Sequence, residues 1–107
     1  KLLLGFIGQG RVGKNFADYF EKRKYKVVRY SLEPKYIHNK KNISLCDIVF
    51  VAVPTPTTPK GPDNFIVESV MPLIGKGKIA VIKSTTLPGT IKSLQKKYPK
   101  ITVLHSP

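Results

Sequence analysis

Hydrophobic residues cluster in five short runs, with more polar segments between them. The runs are Leu2–Ile7, Lys26–Tyr30, Ile48–Val53, Ile79–Ile82 and Ile101–Leu104. Apolar runs of this length, rich in β-branched residues, are typical of strands that a parallel sheet buries on both faces. The pattern therefore predicts five strands, and Pro54 ends the third because proline has no N–H group to donate to a neighbouring strand.

The segment after the first run has helical spacing. Val12, Phe16 and Phe20 recur every four residues, while charged residues occupy the positions between them. This spacing predicts an amphipathic helix over residues 11–23 whose apolar side faces the sheet.

Two further helices are expected later in the chain. The second is short and follows Asp63 or Asn64, either of which could cap it. Its expected inward-facing residues are Ile66, Val70 and Ile74. The third follows Pro88, a residue suited to the first turn of a helix. Its apolar side is expected to carry Ile91, Leu94 and Tyr98.

Two segments have no clear period. Residues 31–42 are polar and contain a proline, and residues 55–62 hold three prolines and three threonines, so both are interpreted as loops, the second an extended one. The remaining alternation of strands and helices is typical of βαβ units. Right-handed crossovers would place the strands in one sheet. The expected class is α/β, a doubly wound parallel sheet of about five strands with helices on both faces, in a three-layer sandwich.

A glycine-rich turn joins the first strand to the first helix. The pattern G-x-G-x-x-G is formed by Gly8, Gln9, Gly10, Arg11, Val12 and Gly13. In this context the first glycine permits the tight turn, the second lets the backbone approach a diphosphate, and the third lets the helix pack close to the sheet. Unpaired N–H groups at the helix N-terminus favour the negative phosphates. The turn predicts a Rossmann-type dinucleotide site.

The second half of that fingerprint is an acidic residue at the end of the second strand, which binds the ribose 2′-hydroxyl of NAD. Ser31 occupies this position, and Glu33 stands two residues further on. Arg29 and Lys35 flank it, and cations near a serine would suit the 2′-phosphate of NADP. The residues therefore leave both NAD and NADP open.

The charge balance raises a second class of function. The 107 residues include 19 Lys and Arg against 6 Asp and Glu, a formal net charge of +13. Such a balance is typical of nucleic-acid-binding proteins. The lysines are scattered along the chain, however, which favours a solvated surface over a nucleic-acid partner. No apolar run approaches the roughly 18 residues of a membrane span, so no membrane partner is expected.

Four segments of the chain carry a resemblance to a known family. They are Gly5–Gly13, Asp47–Thr57, Ile82–Thr90 and His105–Pro107. In order and spacing they resemble the N-terminal nucleotide-binding domain of the UDP-glucose/GDP-mannose dehydrogenase family. The resemblance implies an oxidoreductase that converts the C6 hydroxyl of a nucleotide sugar to a carboxylate in two NAD-linked steps. It also implies a nucleotide-sugar substrate, a homo-oligomeric whole enzyme and a role in polysaccharide biosynthesis.

The resemblance also implies roles for particular residues. Those expected to bind the cofactor are Gly8, Gln9, Gly10, Arg11, Val12, Gly13, Ser31, Val53, Pro54, Thr55, Thr57 and Ser84. Thr85 matches a family threonine that helps to position a water near the nicotinamide. The alternative for Ser84 and Thr85 is that they cap the helix near Pro88.

The sequence also departs from the family pattern. The connection between the second and third strands lacks an expected helix and strand, Ser31 replaces the acidic residue, and the Asn-Pro-Glu motif stands as His105–Pro107. The family's catalytic cysteine and lysine have no counterparts here. We therefore expect residues 1–107 to form one dinucleotide-binding domain of a longer enzyme, inactive alone. The alternative is the equivalent domain of a 6-phosphogluconate-like dehydrogenase.

Cys46 is the single cysteine, so an internal disulfide is excluded and a reducing, cytoplasmic setting is expected. It precedes an apolar strand, which predicts a buried thiol and not a nucleophile. His38 and His105 have no ligand partners at metal-binding spacing, so no metal site is expected.

Overall fold

The computed structural model describes residues 2–59 and 61–106. Two predicted segments reach beyond these ranges. The loop over residues 55–62 includes Lys60, and the terminal segment His105–Pro107 includes Pro107, and both of these residues lie outside the described part of the chain.

The strands are β1 (Leu3–Ile7), β2 (Lys26–Tyr30), β3 (Ile48–Val51), β4 (Thr57–Thr58), β5 (Gly61–Pro62), β6 (Ile79–Ile82) and β7 (Thr102–His105). The α-helices are α1 (Arg11–Lys22), α2 (Phe65–Val70) and α3 (Thr90–Lys97). Two 3₁₀ segments, Ile37–Leu45 and Met71–Leu73, lie between β2 and β3 and directly after α2.

Five of the strands form one parallel sheet in the order β2-β1-β3-β6-β7, while β4 and β5 form a separate antiparallel pair. The chain leaves β1 through α1 to β2, then crosses back to β3 on the other side of β1. The order of strands thus reverses between β1 and β3, and parallel sheets form a ligand crevice at the carboxyl ends of the strands at such a point. The predicted doubly wound sheet is confirmed.

Helix α1 covers one face of the sheet. Ala17 is fully buried against Leu4 and Phe6, and the half-buried Phe16 and Phe20 pack around them. The Phe6 ring stacks on the ring of Phe50 from β3, with their centroids 5.0 Å apart. The predicted inward stripe holds for the two phenylalanines.

Val12 departs from that stripe, because its side chain is 55% exposed. Val12 belongs to the first turn of α1, next to the glycine-rich segment. This part of the helix extends beyond the carboxyl edge of the sheet. This turn therefore faces the crevice instead of the core.

The first 3₁₀ segment, α2 and α3 cover the other face. Ile43, Val67, Met71 and Leu94 are buried there, together with Val49 and Val51 from β3. The predicted inward face of the second helix is partly wrong. Ile74 is buried and the half-buried Val70 packs against the core, as expected, but Ile66 lines the crevice. Val67 and Met71, each one position after a predicted inward residue, are the fully buried ones.

The loop prediction for residues 31–42 is wrong in its second half. The 3₁₀ segment Ile37–Leu45 begins there, anchored by the fully buried Ile43. The Asn39 side chain donates a hydrogen bond of 2.8 Å to the Arg29 carbonyl, which ties the segment to β2. Tertiary contacts order a stretch with no amphipathic period of its own.

The third strand and the following loop also differ from the prediction. Strand β3 ends at Val51, two residues before the predicted end. The Ala52 N–H still donates to the Ile7 carbonyl of β1 at 2.9 Å, whereas the Val53 N–H donates to the Ser84 hydroxyl, and both residues line the crevice. Within the predicted extended loop, Thr57 pairs with Pro62 and Thr58 with Gly61. Gly61 has a φ of +110°, a conformation that favours glycine.

Candidate functional site

The glycine turn closes the carboxyl end of β1. The Gly8 N–H donates to the Tyr30 carbonyl at 2.7 Å, which joins the turn to the end of β2. Gly8 has a φ of +95°, and a Cβ there would lie 2.3 Å from the carbonyl oxygen of Ala52. Both the backbone conformation and the close contact therefore require glycine at this position.

Gly13 and Gly10 differ in what surrounds them. A Cβ at Gly13 would lie 2.0 Å from the Gly8 carbonyl oxygen, so this glycine lets α1 approach the turn. A Cβ at Gly10 would meet no described atom within 4 Å, and the backbone has an ordinary φ of −74°. The fold needs glycine at two of the three motif positions, and at Gly10 it does not.

The N-terminus of α1 points its first N–H groups toward the crevice. The first intrahelical bond runs from the Lys14 N–H to the Gly10 carbonyl at 2.9 Å. The N–H groups before Lys14 precede this ladder, as at any helix start. Helix α1, described throughout, has no acidic residue in its first turn and no side-chain cap. Its positive end is therefore left for an anion.

A cleft of about 910 Å³ opens beside this turn. Its lining includes eight of the predicted site residues: Gly8, Gln9, Gly10, Arg11, Val12, Ser31, Val53 and Pro54. The structure thus brings together the carboxyl ends of β1, β2 and β3, as expected for a sheet of this topology.

The remaining predicted residues lie outside this lining. Gly13 sits under the turn, Thr55 follows Pro54, and Thr57 is exposed in β4. Thr85 is exposed beyond the end of β6, and its carbonyl accepts a 2.9 Å hydrogen bond from the Asn64 side chain.

Ser84 has a bonding role within the fold. Its buried hydroxyl accepts a hydrogen bond from the Val53 N–H at 2.9 Å and donates to the Val53 carbonyl at 2.8 Å. Ser84 therefore fixes the β3 end against the β6 end. The alternative role as a helix cap is wrong, because Gly89 precedes α3 and no side chain caps that helix.

Asn64 organises the loop that carries Thr85. Besides its bond to the Thr85 carbonyl, its side-chain oxygen accepts from the Leu87 N–H at 3.1 Å and from the Thr90 hydroxyl at 3.3 Å. The side chain does not cap α2, although the sequence suggested that it could, whereas the Asp63 carboxylate accepts from the Phe65 N–H at 3.0 Å.

The sequence did not predict the far wall of the cleft. This wall is formed by Tyr30, Leu32, Lys40, Ile66, Ser69, Val70, Pro72 and Leu73. A signal was present in α2 and its 3₁₀ continuation, which hold more apolar residues than the core buries. Val67 and Met71 are buried in the core, while Ile66, Val70 and Leu73 line the cleft, and the last two also pack against the core.

The end of β2 places the candidate ribose-binding groups unequally. The Ser31 hydroxyl accepts from the Glu33 N–H at 3.2 Å, a turn that brings Glu33 into the cleft lining with Ser31. Arg29 instead faces α1, where its guanidinium bonds the Asp18 carboxylate at 2.7 Å and also the Glu21 carboxylate. The ammonium of Lys35 lies over the Tyr36 ring.

Cys46 is fully buried among core residues. Burial, and to a lesser extent the nearby Asp47 carboxylate, raise the pKa of its thiol to about 11, which suppresses the nucleophilic thiolate. Over residues 2–59 and 61–106, no group of three or more His, Cys, Asp and Glu side chains is arranged to hold a metal ion. Within the same ranges no helix is long and apolar enough to cross a membrane.

Comparisons with solved structures identify the fold. The chain is similar to UDP-D-ManNAc dehydrogenase from Pyrococcus horikoshii, with a TM-score of 0.86 and 17% identity over 99% of this chain and 36% of that one. It is also similar to 3-hydroxyisobutyrate dehydrogenase from Mycobacterium tuberculosis, with a TM-score of 0.79 and 12% identity over 99% and 40%. For GDP-mannose dehydrogenase from Pseudomonas aeruginosa the TM-score is 0.74 and the identity is 20%, over 94% of this chain and 34% of that one.

The chain therefore spans well under half the length of these structures. No curated protein matches the sequence. The profile of the UDP-glucose/GDP-mannose dehydrogenase family, NAD binding domain, matches residues 30–106. This match begins at the end of β2 and covers more than half of the chain. The glycine turn precedes it and is common to dinucleotide-binding domains in general. By the profile match, the chain belongs to the UDP-glucose/GDP-mannose dehydrogenase family, as an NAD binding domain.

Proposed function

We propose that the cleft beside the glycine turn binds NAD, with the diphosphate at the N-terminus of α1. The observation that carries this proposal is the surroundings of Gly10. Its backbone conformation suits any residue and the space beside it is open, so the fold gives no reason for glycine there. The approach of a ligand to the backbone does give one. A Cβ at Gly10 would project into open space of the cleft, where the proposed ligand would lie.

The diphosphate end of the site relies on backbone groups. The N–H groups in the first turn of α1 would hold the phosphate oxygens, and the macrodipole would add a favourable field. The Arg11 side chain, which also lines the cleft, would supply a cation beside them. Bound NAD supplies the chemistry of hydride acceptance.

The adenosine end relies on side chains. Leu32, Val70 and Leu73 offer an apolar surface on which an adenine ring would pack. Glu33 would accept a hydrogen bond from the ribose 2′-hydroxyl and would repel a 2′-phosphate. Arg29 offers that phosphate little charge, because two carboxylates hold its guanidinium on the α1 side. We therefore favour NAD over NADP.

The nicotinamide end would lie toward the ends of β3 and β6. Val53 and Pro54 line this part of the cleft, and Ser84 holds Val53 in place. Thr55, Thr57 and Thr85 belong to the same proposal, with Thr85 as the residue that helps to position a water.

The whole protein that contains this site is proposed to oxidise the C6 hydroxyl of a nucleotide sugar to a carboxylate. The family match supports this reaction class. The same proposal includes a homo-oligomeric enzyme in the cytoplasm that serves polysaccharide biosynthesis, with residues 1–107 as one domain. The single cysteine, unpaired and buried, supports the reducing location.

Calorimetric titration of NAD into the wild-type protein and Gly10→Ala tests the cofactor site. We expect saturable binding by the wild type and an affinity at least about tenfold weaker in the variant, at an unchanged melting temperature. Ser93→Ala, on the exposed side of α3, is the control for a small surface change. Equal NAD affinity in Gly10→Ala and the wild type would contradict the proposed site.

Salt separates this proposal from a basic binding module. A protein with a net charge of +13 attracts polyanions, and that attraction weakens as salt screens it. NAD binding that persists in added salt supports the cleft. Salt-sensitive DNA binding without NAD affinity would favour the module instead.

A further inference from the structure

Arg29 lies on the face of β2 that packs against α1. It pairs in register with Phe6 of β1, whose side chain is in the α1 core, so both side chains point the same way. The Arg29 side chain is only 14% exposed, although it carries a full charge. Its nitrogen Nη2 donates to the Asp18 carboxylate at 2.7 Å and to the Glu21 carboxylate of the same helix.

The second guanidinium nitrogen reaches the glycine turn. Arg29 Nη1 donates to the Gln9 side-chain oxygen at 3.2 Å. The Gln9 side-chain nitrogen donates in turn to the Gly8 carbonyl at 3.0 Å. A continuous set of hydrogen bonds thus runs from the middle of α1 through Arg29 to the turn.

This connection acts on a glycine-rich part of the turn. Gln9 stands between two glycines, and glycine loses more backbone entropy than any other residue when its conformation is fixed. Gln9 is the one residue between them whose side chain can hold the turn. Its side-chain amide is bonded at both ends, to Gly8 and to Arg29.

We propose that Arg29 is a positioning residue, which holds Gln9 and thereby fixes the Gly8–Gly10 turn in the conformation that receives a diphosphate. The proposal rests on the proposed function of the cleft. Arg29 does not contact the ligand in this account, since it faces α1 and is not part of the cleft lining. Its effect is preorganisation, which lowers the cost of binding by ordering the turn in advance.

The planar guanidinium is essential to this role. One nitrogen bonds the carboxylates of α1 while the other bonds Gln9, a division that a lysine ammonium on a flexible stem would not reproduce. Charge alone is therefore insufficient, and Arg29→Lys should behave much like Arg29→Met.

Two binding experiments test the proposal in the full chain. We expect Arg29→Met to lower the affinities for NAD and NADP by the same factor, about tenfold, and to lower the affinity for ADP similarly. Adenosine, which lacks phosphates, should bind with unchanged affinity when followed by NMR titration. Lys92→Met, at an exposed position of α3, removes the same charge and should leave all affinities unchanged.

A double-mutant cycle with Gln9→Ala gives a second test. If Arg29 acts through Gln9, the Arg29→Met/Gln9→Ala protein should lose no more affinity than the stronger single variant. Additive losses would overturn the proposal, as would a loss confined to NADP, which would make Arg29 a phosphate ligand. An equal loss for adenosine would indicate a general structural effect and would also overturn it.

The turn itself provides a readout without ligand. In ¹⁵N-resolved NMR spectra, Arg29→Met and Gln9→Ala should shift and broaden the Gly8 and Gly10 amide signals while those of Gly75 and Gly89 stay in place. Unchanged Gly8 and Gly10 signals would overturn the proposal even if NAD binds. Ordered turn signals with no NAD binding by the wild type would instead count against the proposed function. Should Arg29→Met fail to fold, Arg29→Lys and Gln9→Ala supply the same comparisons.

Discussion

The two ends of the cleft are built by different means. At the β1 end, the backbone defines the site, because Gly8 and Gly13 are required by contacts of 2.3 and 2.0 Å that a Cβ would make. At the β2 end, side chains define it, through the turn between Ser31 and Glu33 and the apolar residues of α2. The first end depends on steric contacts with the backbone, within the turn and with Ala52 after β3. The second depends on side-chain packing between distant segments.

The largest effect is expected from a methyl group in the β1 end. In Gly13→Ala the new Cβ would lie 2.0 Å from the Gly8 carbonyl oxygen, so helix α1 must move away from the turn. Overpacking of the new methyl group against the backbone should lower the free energy of unfolding by about 3 kcal/mol. This loss outweighs the gain in helix propensity from replacing glycine with alanine. Urea denaturation measures this change.

Gly10→Ala is the matched control for that variant, since its Cβ meets open space and its φ is ordinary. The two substitutions add the same atom three residues apart. If both lowered stability equally, the distinction between fold-determined and ligand-determined glycines in this turn would be wrong.

An intermediate effect is expected at the β2 end. Glu33→Gln removes the negative charge at the proposed ribose position while keeping the side-chain length. The ratio of NADP to NAD affinity should rise about tenfold, because the repulsion of the 2′-phosphate is lost. Parallel calorimetric titrations with the two cofactors measure the ratio.

Glu68→Gln serves as the control for Glu33→Gln. It makes the same change of charge on α2, where Glu68 lies 3.9 Å from the Lys97 ammonium and outside the large cleft. An unchanged cofactor ratio in Glu33→Gln would show that Glu33 does not select the cofactor. A change of equal size in both variants would point to the overall charge of the protein instead.

The same contrast explains what could be predicted from sequence. The five strands of the main sheet and the turn motif followed from apolar runs and glycine spacing, which are local properties. Strand alternation could also have assigned Arg29, since residues 27 and 29 share one face of β2 and Tyr30 faces the other. The flanking position of Arg29 in sequence was therefore misleading about its surroundings.

The segments that were mispredicted depend on distant partners. The 3₁₀ segment after β2 is ordered by Ile43 in the core and by Asn39 on β2, neither of which produces a period in the sequence. The role of Ser84 depends on hydrogen bonds to Val53, which is 31 positions away in the sequence. The role of Asn64 depends on a hydrogen bond to Thr85, which is 21 positions away. No local pattern contains that information.

The smallest effect concerns the ion pair that links α1 to β2. The hydrogen bond from Arg29 lowers the pKa of the Asp18 carboxyl, and partial burial opposes this only in part. A carboxyl whose folded pKa is depressed stabilises the protein above its unfolded pKa of about 3.9. This contribution is lost as the pH falls through the lower, folded value.

Asp18→Asn should therefore be less stable than the wild type at pH 7, and the difference should shrink as the pH approaches 3. Urea denaturation of both proteins across this range measures it. Glu21 also bonds Arg29, so the guanidinium keeps one carboxylate in the variant and its bond to Gln9 should persist. A stability difference that stays constant with pH would mean that the Asp18 charge does not contribute. A large loss of NAD affinity in Asp18→Asn would mean that the glycine turn depends on Asp18 itself. The β1 and β2 ends of the cleft would then be coupled through α1 more tightly than the contacts of Arg29 imply.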